Sequence, residues 1–164
     1  MLSIKSATIT DIPLIQELSM LIWPGTYNPI IGAEQVAYML NLFYSPEALK
    51  KQLDSGHNFI ICCSEAAPVA FASYSDIESG IYKLQKLYTL PDQQGKGIGR
   101  YMLAYILNEL KLKNGTAMRL NVNRHNHVAI SFYQKTGFKY LKDEDIDIGN
   151  GYFMNDYVLQ KEIG

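Results

Sequence analysis

The pattern of hydrophobic and polar residues divides the chain into helix-like and strand-like segments. Apolar residues recur every three or four positions from Ile12 to Ile22, which predicts a helix that Thr10 caps. Because Trp23-Pro24-Gly25 follows directly, we expect this helix to end near Ile22. Elsewhere, polar and apolar residues alternate in short runs, a period typical of half-buried β-strands.

The remaining segments predict an α/β fold with a mixed sheet. We expect strands near residues 2–4, 59–63, 69–74, 81–90, 118–122, 138–148 and 152–160, and further helices over 33–43, from 46, from the glycine-rich loop to about 113, and from 126 to 137. The predicted order is β-α-α-β-β-β-α-β-α-β-β, apart from the short helix at 46. Such an order places helices on the faces of the sheet.

Composition and charge narrow the class of protein. The 164 residues are 48% hydrophobic and 19% charged, which is typical of a globular protein. A chain of this length usually forms one core, so we predict one domain over residues 1–164. The formal net charge of −1 argues against nucleic-acid binding, which needs a basic surface. No membrane span or signal peptide stands out, so we expect a cytoplasmic protein without a membrane partner.

A glycine-rich loop stands between a predicted strand and a predicted helix. Gly95, Gly97 and Gly99 occupy alternate positions, and glycine permits a tight turn that leaves the backbone open to a ligand. The first amides of the following helix point outward, and the helix dipole adds partial positive charge. This arrangement suits a pyrophosphate, which Lys96 and Arg100 would further neutralise. Taken alone, the glycines fit a tight βα turn without a ligand equally well.

Two familiar nucleotide-binding loops do not match this segment. A Walker A loop requires Lys followed by Ser or Thr, whereas Lys96 is followed by Gly97. A dinucleotide-binding loop requires Gly-x-Gly-x-x-Gly and an acid after the next strand. Here the third glycine comes one residue early, and residues 118–123 contain no acid.

A second motif follows on the next predicted helix, where an asparagine cap, an apolar stripe and a terminal glycine would by themselves fit an ordinary helix. The combined pattern is Leu87-Tyr88-Thr89-Leu90-Pro91, then Gln94-x-x-Gly97-x-Gly99, then Asn126-x-x-Ala129-x-x-Phe132-Tyr133-x-x-x-Gly137-Phe138. Two spaced motifs in this order strongly resemble the GNAT superfamily of N-acetyltransferases. The spacing around residues 45–49 and 84–88 also looks like the polyamine-acetylating branch of that family.

The resemblance implies the GNAT acyl-CoA N-acyltransferase fold, with acetyl-CoA as cosubstrate and no metal. It implies backbone contacts from Leu87, Tyr88 and Thr89 to the pantetheine arm, a pyrophosphate site formed by Gln94, Gly95, Lys96, Gly97, Ile98, Gly99 and Arg100, and contacts from Asn126 to the arm and from Lys135 to the nucleotide end. Tyr133 would lie beside the thioester sulfur and protonate the departing thiolate, because a phenol is a neutral donor at pH 7. We expect direct transfer without an acetyl-enzyme, since no Cys-His or Ser-His arrangement is recognisable.

The predicted acceptor site has aromatic residues but lacks carboxylates that many family members use as the base. Trp23, Tyr27 and Tyr38 lie in the N-terminal region that lines the acceptor site in this family, where aromatic rings could hold an amine; core packing would also explain them. The carboxylate positions correspond to Gln85, which we include in the acceptor site, and to Asn121. Other acids that could take a proton are expected to be solvated surface charges: Asp147, Glu78 and Asp156.

These features predict an N-acetyltransferase that acts on a primary amine, which could belong to a small amine, a polyamine or a peptide. The alternative is a non-catalytic acyl-CoA-binding sensor or interaction module, which the missing carboxylates favour. Cys62 and Cys63 are adjacent, and we expect no disulfide between them. The acidic residues 143–147 are expected to form a solvated strand edge. A homodimer is compatible with the resemblance, although no residue establishes one.

Overall fold

A computed structural model describes residues 1–164 and contains seven strands and five α-helices. Strands β1 to β7 span Leu2–Ser6, Asn58–Ser64, Ala67–Glu78, Ile81–Thr89, Ala117–Asn123, Lys139–Gly149 and Tyr152–Glu162, and helices α1 to α5 span Ile12–Ile31, Ala33–Tyr44, Pro46–Asp54, Ile98–Leu112 and His127–Lys135. The strand order is β1-β2-β3-β4-β5-β7-β6. Parallel pairing of β4 with β5 and antiparallel pairing of β5 with β7 make the sheet mixed. The predicted α/β class is confirmed.

Helix α1 is longer than the sequence predicts. It continues to Ile31 and contains Pro24 and Pro29, so the break expected at the first of these prolines is wrong. Each proline removes the N–H that would bond the carbonyl four residues earlier. Those carbonyls belong to Met20 and Gly25, which are exposed, so water can satisfy them. Neither α1 nor any other helix is long and apolar enough to cross a membrane; the cytoplasmic location stays a prediction.

The start of α1 also differs from the prediction that Thr10 caps the helix, since Asp11 occupies the cap position. Residues Ile9–Asp11 form a 3-10 turn, and α1 follows from Ile12. The Thr8 amide donates to the Asp11 carboxylate at 2.9 Å. This hydrogen bond lowers the pKa of Asp11. A hydrogen bond between the Thr8 amide and the Asp11 side chain therefore stabilises the turn. The pattern of apolar residues does not reveal a polar contact of this kind.

The chain divides into two compact units, of which the first contains Met1–Ser75 and Lys86–Ile106. In its central strand β2, residues 59–62 are all buried, which requires cover on both faces of the strand. On one face, the ring of Phe71 on β3 lies 6.0 Å from the ring of Tyr44 on α2. Helices α1, α2 and α3 contact one another in this unit.

The second unit contains Asp76–Gln85 and Leu107–Gly164. Its central strands are β5 and β7, where the buried Leu120 lies opposite the buried Leu159. Strand β6 pairs with β7 and is the last strand of the sheet order. The aspartates within residues 143–147 are exposed on β6, so the predicted acidic edge is confirmed.

Candidate active site

The glycine loop joins β4 to α4 and presents backbone to its surroundings. Gly95 and Gly97 have φ values of 78° and 82°, a left-handed conformation that favours glycine. A Cβ on either residue would meet no atom within 4 Å, so the space beside the loop is open. The amide of Tyr101 donates to the Gly97 carbonyl at 3.0 Å, which leaves the amides of residues 98–100 ahead of the helical hydrogen bonds.

The open loop has the chemistry that suits a pyrophosphate. Amides at the start of a helix, together with its dipole, attract an anion. The cationic side chains Lys96 and Arg100 are exposed beside these amides, and Lys96 Nζ lies 3.4 Å from Gln93 Oε1. The Gln94 side chain donates to the Thr89 carbonyl at 3.2 Å. This bond ties the beginning of the loop to the end of β4.

Five aromatic side chains of the first unit form a cluster. Its members are Trp23 and Tyr27 of α1, Tyr44 of α2, Phe71 of β3 and Tyr88 of β4. Ring centroids are 4.5 Å apart for Trp23 and Tyr27, 5.8 Å for Trp23 and Tyr88, and 5.8 Å for Phe71 and Tyr88. The hydroxyl oxygens of Tyr27 and Tyr88 are 3.2 Å apart. We call these five residues the aromatic cluster.

A cation already lies against one side of the aromatic cluster. The Nζ of Lys86 is 5.4 Å from the ring centroid of Tyr44 and 5.5 Å from that of Phe59, distances typical of cation–π contacts. The same ammonium donates to Gln52 Oε1 at 2.7 Å. Burial raises the pKa of Tyr44 well above its ordinary value, so this phenol stays neutral and keeps a ring that attracts cations.

The second motif lies on α5 in the second unit. Asn126 caps the helix, its side chain accepting from the Ala129 amide at 3.3 Å. Tyr133 is buried, and its ring lies 5.5 Å from the ring of Phe138. Lys135 is exposed in the last turn. The cap and the ring contact fix the orientation of the helix end that carries Tyr133.

Asn121 holds two carboxylates in the second unit. Its Nδ2 donates to Glu144 Oε1 at 2.8 Å and to Asp156 Oδ2 at 3.2 Å. Asp156 is only 6% exposed, so the expectation that it is a solvated surface charge is wrong: its strand β7 lies between β5 and β6, and side chains of both strands, Asn121 and Glu144, lie beside it. Burial raises the pKa of Asp156, and the bond from Asn121 opposes this rise. Asp147 and Glu78 are exposed, as expected.

The structure distributes the predicted residues over both units. The first unit holds Trp23, Tyr27, Tyr38, Leu87, Tyr88, Thr89 and the glycine loop, and the second holds Gln85, Asn126, Tyr133 and Lys135. Within the first unit, Trp23, Tyr27 and Tyr88 come together in the aromatic cluster. Tyr38 is half-buried on α2 and Gln85 is half-buried on β4. No group of three or more His, Cys, Asp or Glu side chains is arranged to hold a metal ion.

Two members of the aromatic cluster, Tyr44 and Phe71, were missed by the sequence reasoning. The predicted helix ended at residue 43, which placed Tyr44 in a connection. In the structure, α2 includes Tyr44, and the residue is 2% exposed. The signal that could have found it is helical spacing, since Tyr44 follows the apolar residues Val36 and Leu40 at intervals of four residues.

Comparison with known proteins identifies the class to which this arrangement belongs. Residues 17–138 match the acetyltransferase (GNAT) family. The chain therefore belongs to the GNAT acetyltransferase family, whose cosubstrate is acetyl-CoA.

Individual relatives are similar to this chain over nearly its whole length or over part of it. The spermidine N(1)-acetyltransferase of Thermoplasma acidophilum is 26% identical over 166 residues, covering 98% of this chain and 97% of that protein. The crystal structure of the PaiA N-acetyltransferase of Thermoplasma acidophilum in complex with coenzyme A is similar with a TM-score of 0.83, 26% identity and coverage of 99% of each chain. The peptidyl-lysine N-acetyltransferase YjaB of Escherichia coli is 34% identical over 64 residues, 39% of this chain and 40% of that protein. These similarities confirm the predicted fold, family and cosubstrate.

Proposed function

We propose that residues 1–164 act as one acetyltransferase domain that passes the acetyl group of acetyl-CoA directly to a primary amine. The observation that carries the proposal lies in the first unit. Tyr88 belongs to the aromatic cluster, and Thr89, the next residue, is bonded to the start of the glycine loop. A surface that attracts cations and a loop that suits a pyrophosphate thus adjoin the same strand end. Spermidine and peptidyl-lysine, which the names of two relatives specify, both carry primary amines.

The strand end and the loop would hold the cosubstrate, which supplies an activated acetyl group. The proposed contacts are the backbone of Leu87, Tyr88 and Thr89 with the pantetheine arm, Gln94 and the amides of residues 95–100 with the pyrophosphate, Asn126 with the arm and Lys135 with the nucleotide end. An extended arm can pair with an open strand as an added strand does. Arg100 would add charge-assisted hydrogen bonds to the phosphate oxygens.

Tyr133 is the proposed proton donor to the departing thiolate. It is a buried phenol whose ring is packed against Phe138, and a phenol is neutral at pH 7. The amide of Tyr88 is the proposed donor to the negative charge that develops on the acetyl oxygen. Direct transfer is supported by Cys62, which is fully buried and whose pKa is raised by burial. Such a thiol is a poor nucleophile.

The aromatic cluster would bind the acceptor amine. Lys86 lies over the rings of Tyr44 and Phe59, so an incoming ammonium would approach the half-buried rings of the cluster, Tyr27 and Tyr88. Small amines, polyamines and lysine side chains each present one ammonium group to a surface of this kind. The aromatic cluster therefore supports the proposal that the acceptor is an amine. Measured turnover would distinguish small amines, polyamines and lysine side chains.

A second candidate function is that of an acyl-CoA sensor without catalytic activity. The observation that favours it is the amide side chain of Gln85 and Asn121, the two positions that correspond to the carboxylates of many family members. A sensor would need the same glycine loop but no proton acceptor. It would bind CoA and release none from acetyl-CoA.

The release of free thiol from acetyl-CoA tests both functions. The amine panel contains a monoamine, spermidine, a lysine-containing peptide and a peptide with a free N-terminus. We expect release with at least one amine, and we expect Tyr27→Leu to raise the KM for that amine while the affinity for CoA stays unchanged. The matched control is Tyr105→Leu, because Tyr105 is exposed on α4. Tight CoA binding without turnover on any amine would reject the enzyme and support the sensor.

A further inference from the structure

Asp156 is a buried carboxylate whose charge is only partly compensated by hydrogen bonds and cations. It lies on β7 opposite Asn123 of β5 and Glu144 of β6, and its Oδ2 accepts from Asn121 Nδ2 at 3.2 Å. A buried carboxylate is costly unless it is paired with a cation and fully hydrogen-bonded. Here the amide that binds Asp156 also binds a second carboxylate, that of Glu144, at 2.8 Å. The arrangement brings two acids together, which is unfavourable for stability and calls for a functional reason.

The charged groups that face Asp156 come from three further strands or their ends. Lys83 on β4 and Arg124 after β5 favour the ionised carboxylate, while Glu144 on β6 disfavours it. Arg124 does not bond the Asp156 carboxylate: its Nε donates to the backbone carbonyl of Asp156 at 3.1 Å, and its Nη2 lies 2.8 Å from Asp145 Oδ1. Desolvation outweighs these opposing effects, and the pKa of Asp156 is raised. A carboxylate with a raised pKa is better matched to proton transfer near neutral pH.

The position of Asp156 relates it to the second motif. It lies opposite Asn123, the last residue of β5, and the Asn126 amide donates to the Asn123 carbonyl at 3.0 Å. Asn126 caps α5, the helix that carries Tyr133. Asp156 therefore lies beside the end of β5. From there the chain continues to Asn126, the proposed contact with the pantetheine arm, and to the helix that carries Tyr133, the proposed proton donor.

We propose that Asp156, positioned by Asn121, accepts the proton that the acceptor ammonium must lose before acetyl transfer. This inference rests on the proposed function. An N–H bond of the ammonium breaks, an O–H bond forms on Asp156, and the freed electron pair forms the C–N bond as the C–S bond breaks. The thiolate takes a proton from Tyr133, which regains one from the same nitrogen. Asp156 then returns its proton to solvent, so that one ammonium and one thioester give one amide, one thiol and one proton.

The pH dependence of kcat/KM tests this role. We expect Asp156→Asn to lower kcat/KM at pH 7 by about 10²-fold or more, the usual contribution of a general base. The loss should shrink towards pH 10, because an alkyl amine with a pKa of about 10.4 deprotonates without help there. The affinity for CoA should not change. The matched control is Asp76→Asn, which removes an exposed carboxylate of the same unit and should leave the profile unchanged.

A second substitution separates proton transfer from a structural role. Asn121→Asp in the Asp156→Asn background returns one carboxylate to the same hydrogen-bonded pair, and we expect it to restore at least tenfold of the lost kcat/KM at pH 7. A variant damaged only in its packing would not recover. If Asp156→Asn does not fold, Glu144→Gln carries the test, because removing this neighbouring charge lowers the pKa of Asp156 and should move the acidic limb of kcat/KM to lower pH.

The outcomes distinguish this inference from the proposed function. If the unaltered protein turns over an amine and Asp156→Asn matches it at every pH, only the role of Asp156 is overturned. An acidic limb that Glu144→Gln leaves in place overturns it as well. If the unaltered protein releases no thiol with any amine of the panel, the proposed function fails, and the role of Asp156 fails with it.

Discussion

A methyl group on Gly97 tests the glycine loop directly. Gly97 has a φ of 82°, and a Cβ there would meet no atom within 4 Å, so the cost of Gly97→Ala comes from backbone conformation rather than from a clash. The left-handed conformation costs a non-glycine residue about 1–2 kcal/mol. For a chain of this size, each kcal/mol shifts Tm by about 2–4 °C, so we expect a loss of roughly 2–8 °C.

The matched control is Gly56→Ala. Gly56 has a φ of 97°, lies just after α3, and a Cβ there would likewise meet no atom within 4 Å. Both variants should therefore lose similar stability in thermal unfolding without ligand. Only Gly97→Ala places a methyl group beside the amides that would bind the pyrophosphate, and we expect CoA to bind at least about tenfold more weakly, or about 1.4 kcal/mol. Calorimetric titration with CoA measures this. Unchanged affinity in Gly97→Ala, or an equal loss in Gly56→Ala, would refute the assignment of the loop.

Three further predictions concern single side chains. Tyr133→Phe keeps the ring that contacts Phe138 but removes the proposed proton donor, so steady-state kinetics should show kcat lowered by about 10²–10⁴-fold with unchanged CoA affinity; an unchanged kcat would assign the proton to another group. Because burial raises the pKa of folded Asp156 above its unfolded value of about 3.9, the protein loses stability as pH rises from about 4 through that raised pKa. The Tm of Asp156→Asn relative to the unaltered protein should consequently increase between pH 4 and pH 7, and a constant difference would contradict the effect. Ser45→Ala removes the α3 cap to the Ala48 amide and should lower the free energy of unfolding in urea by about 1 kcal/mol without changing turnover. A lower turnover in the folded variant would contradict a purely structural role of the cap.

The elements that the sequence predicted correctly have strong local signals. Ser45-Pro46-Glu47 contains a cap and a proline in the first turn, and α3 begins there. Gly149 and Gly151 both adopt positive φ between β6 and β7, as a tight connection requires. In each case the interactions involved lie within a few residues of one another, so the local sequence contains the information that decides the structure.

The extent of α1 depended on interactions that are distant in sequence. An internal proline costs a helix about 3 kcal/mol relative to alanine, which favours a break at Pro24. Trp23, immediately before it, is 5% exposed and contacts Tyr44 and Tyr88. Burying a large aromatic side chain contributes about 1.5–3 kcal/mol, and these partners lie on other elements. Local propensity could not include that gain.

The burial of Asp156 follows from strand order, which the polar run around it conceals. Asn155, Asp156 and Tyr157 near the C-terminus suggest a solvated edge strand, yet β7 lies between β5 and β6, so cross-strand neighbours lie on both sides of the Asp156 side chain. The cost of burying the Asp156 charge would be relieved by a single change to asparagine, which keeps the shape and the bond to Asn121. Replacement of this buried acid by the isosteric amide would increase stability. A chemical role that needs the proton of Asp156 explains why the acid is present. We therefore expect Asp156→Asn to have a higher Tm and a lower kcat/KM at pH 7. Two independent measurements thus test one cause, the buried carboxylate of Asp156.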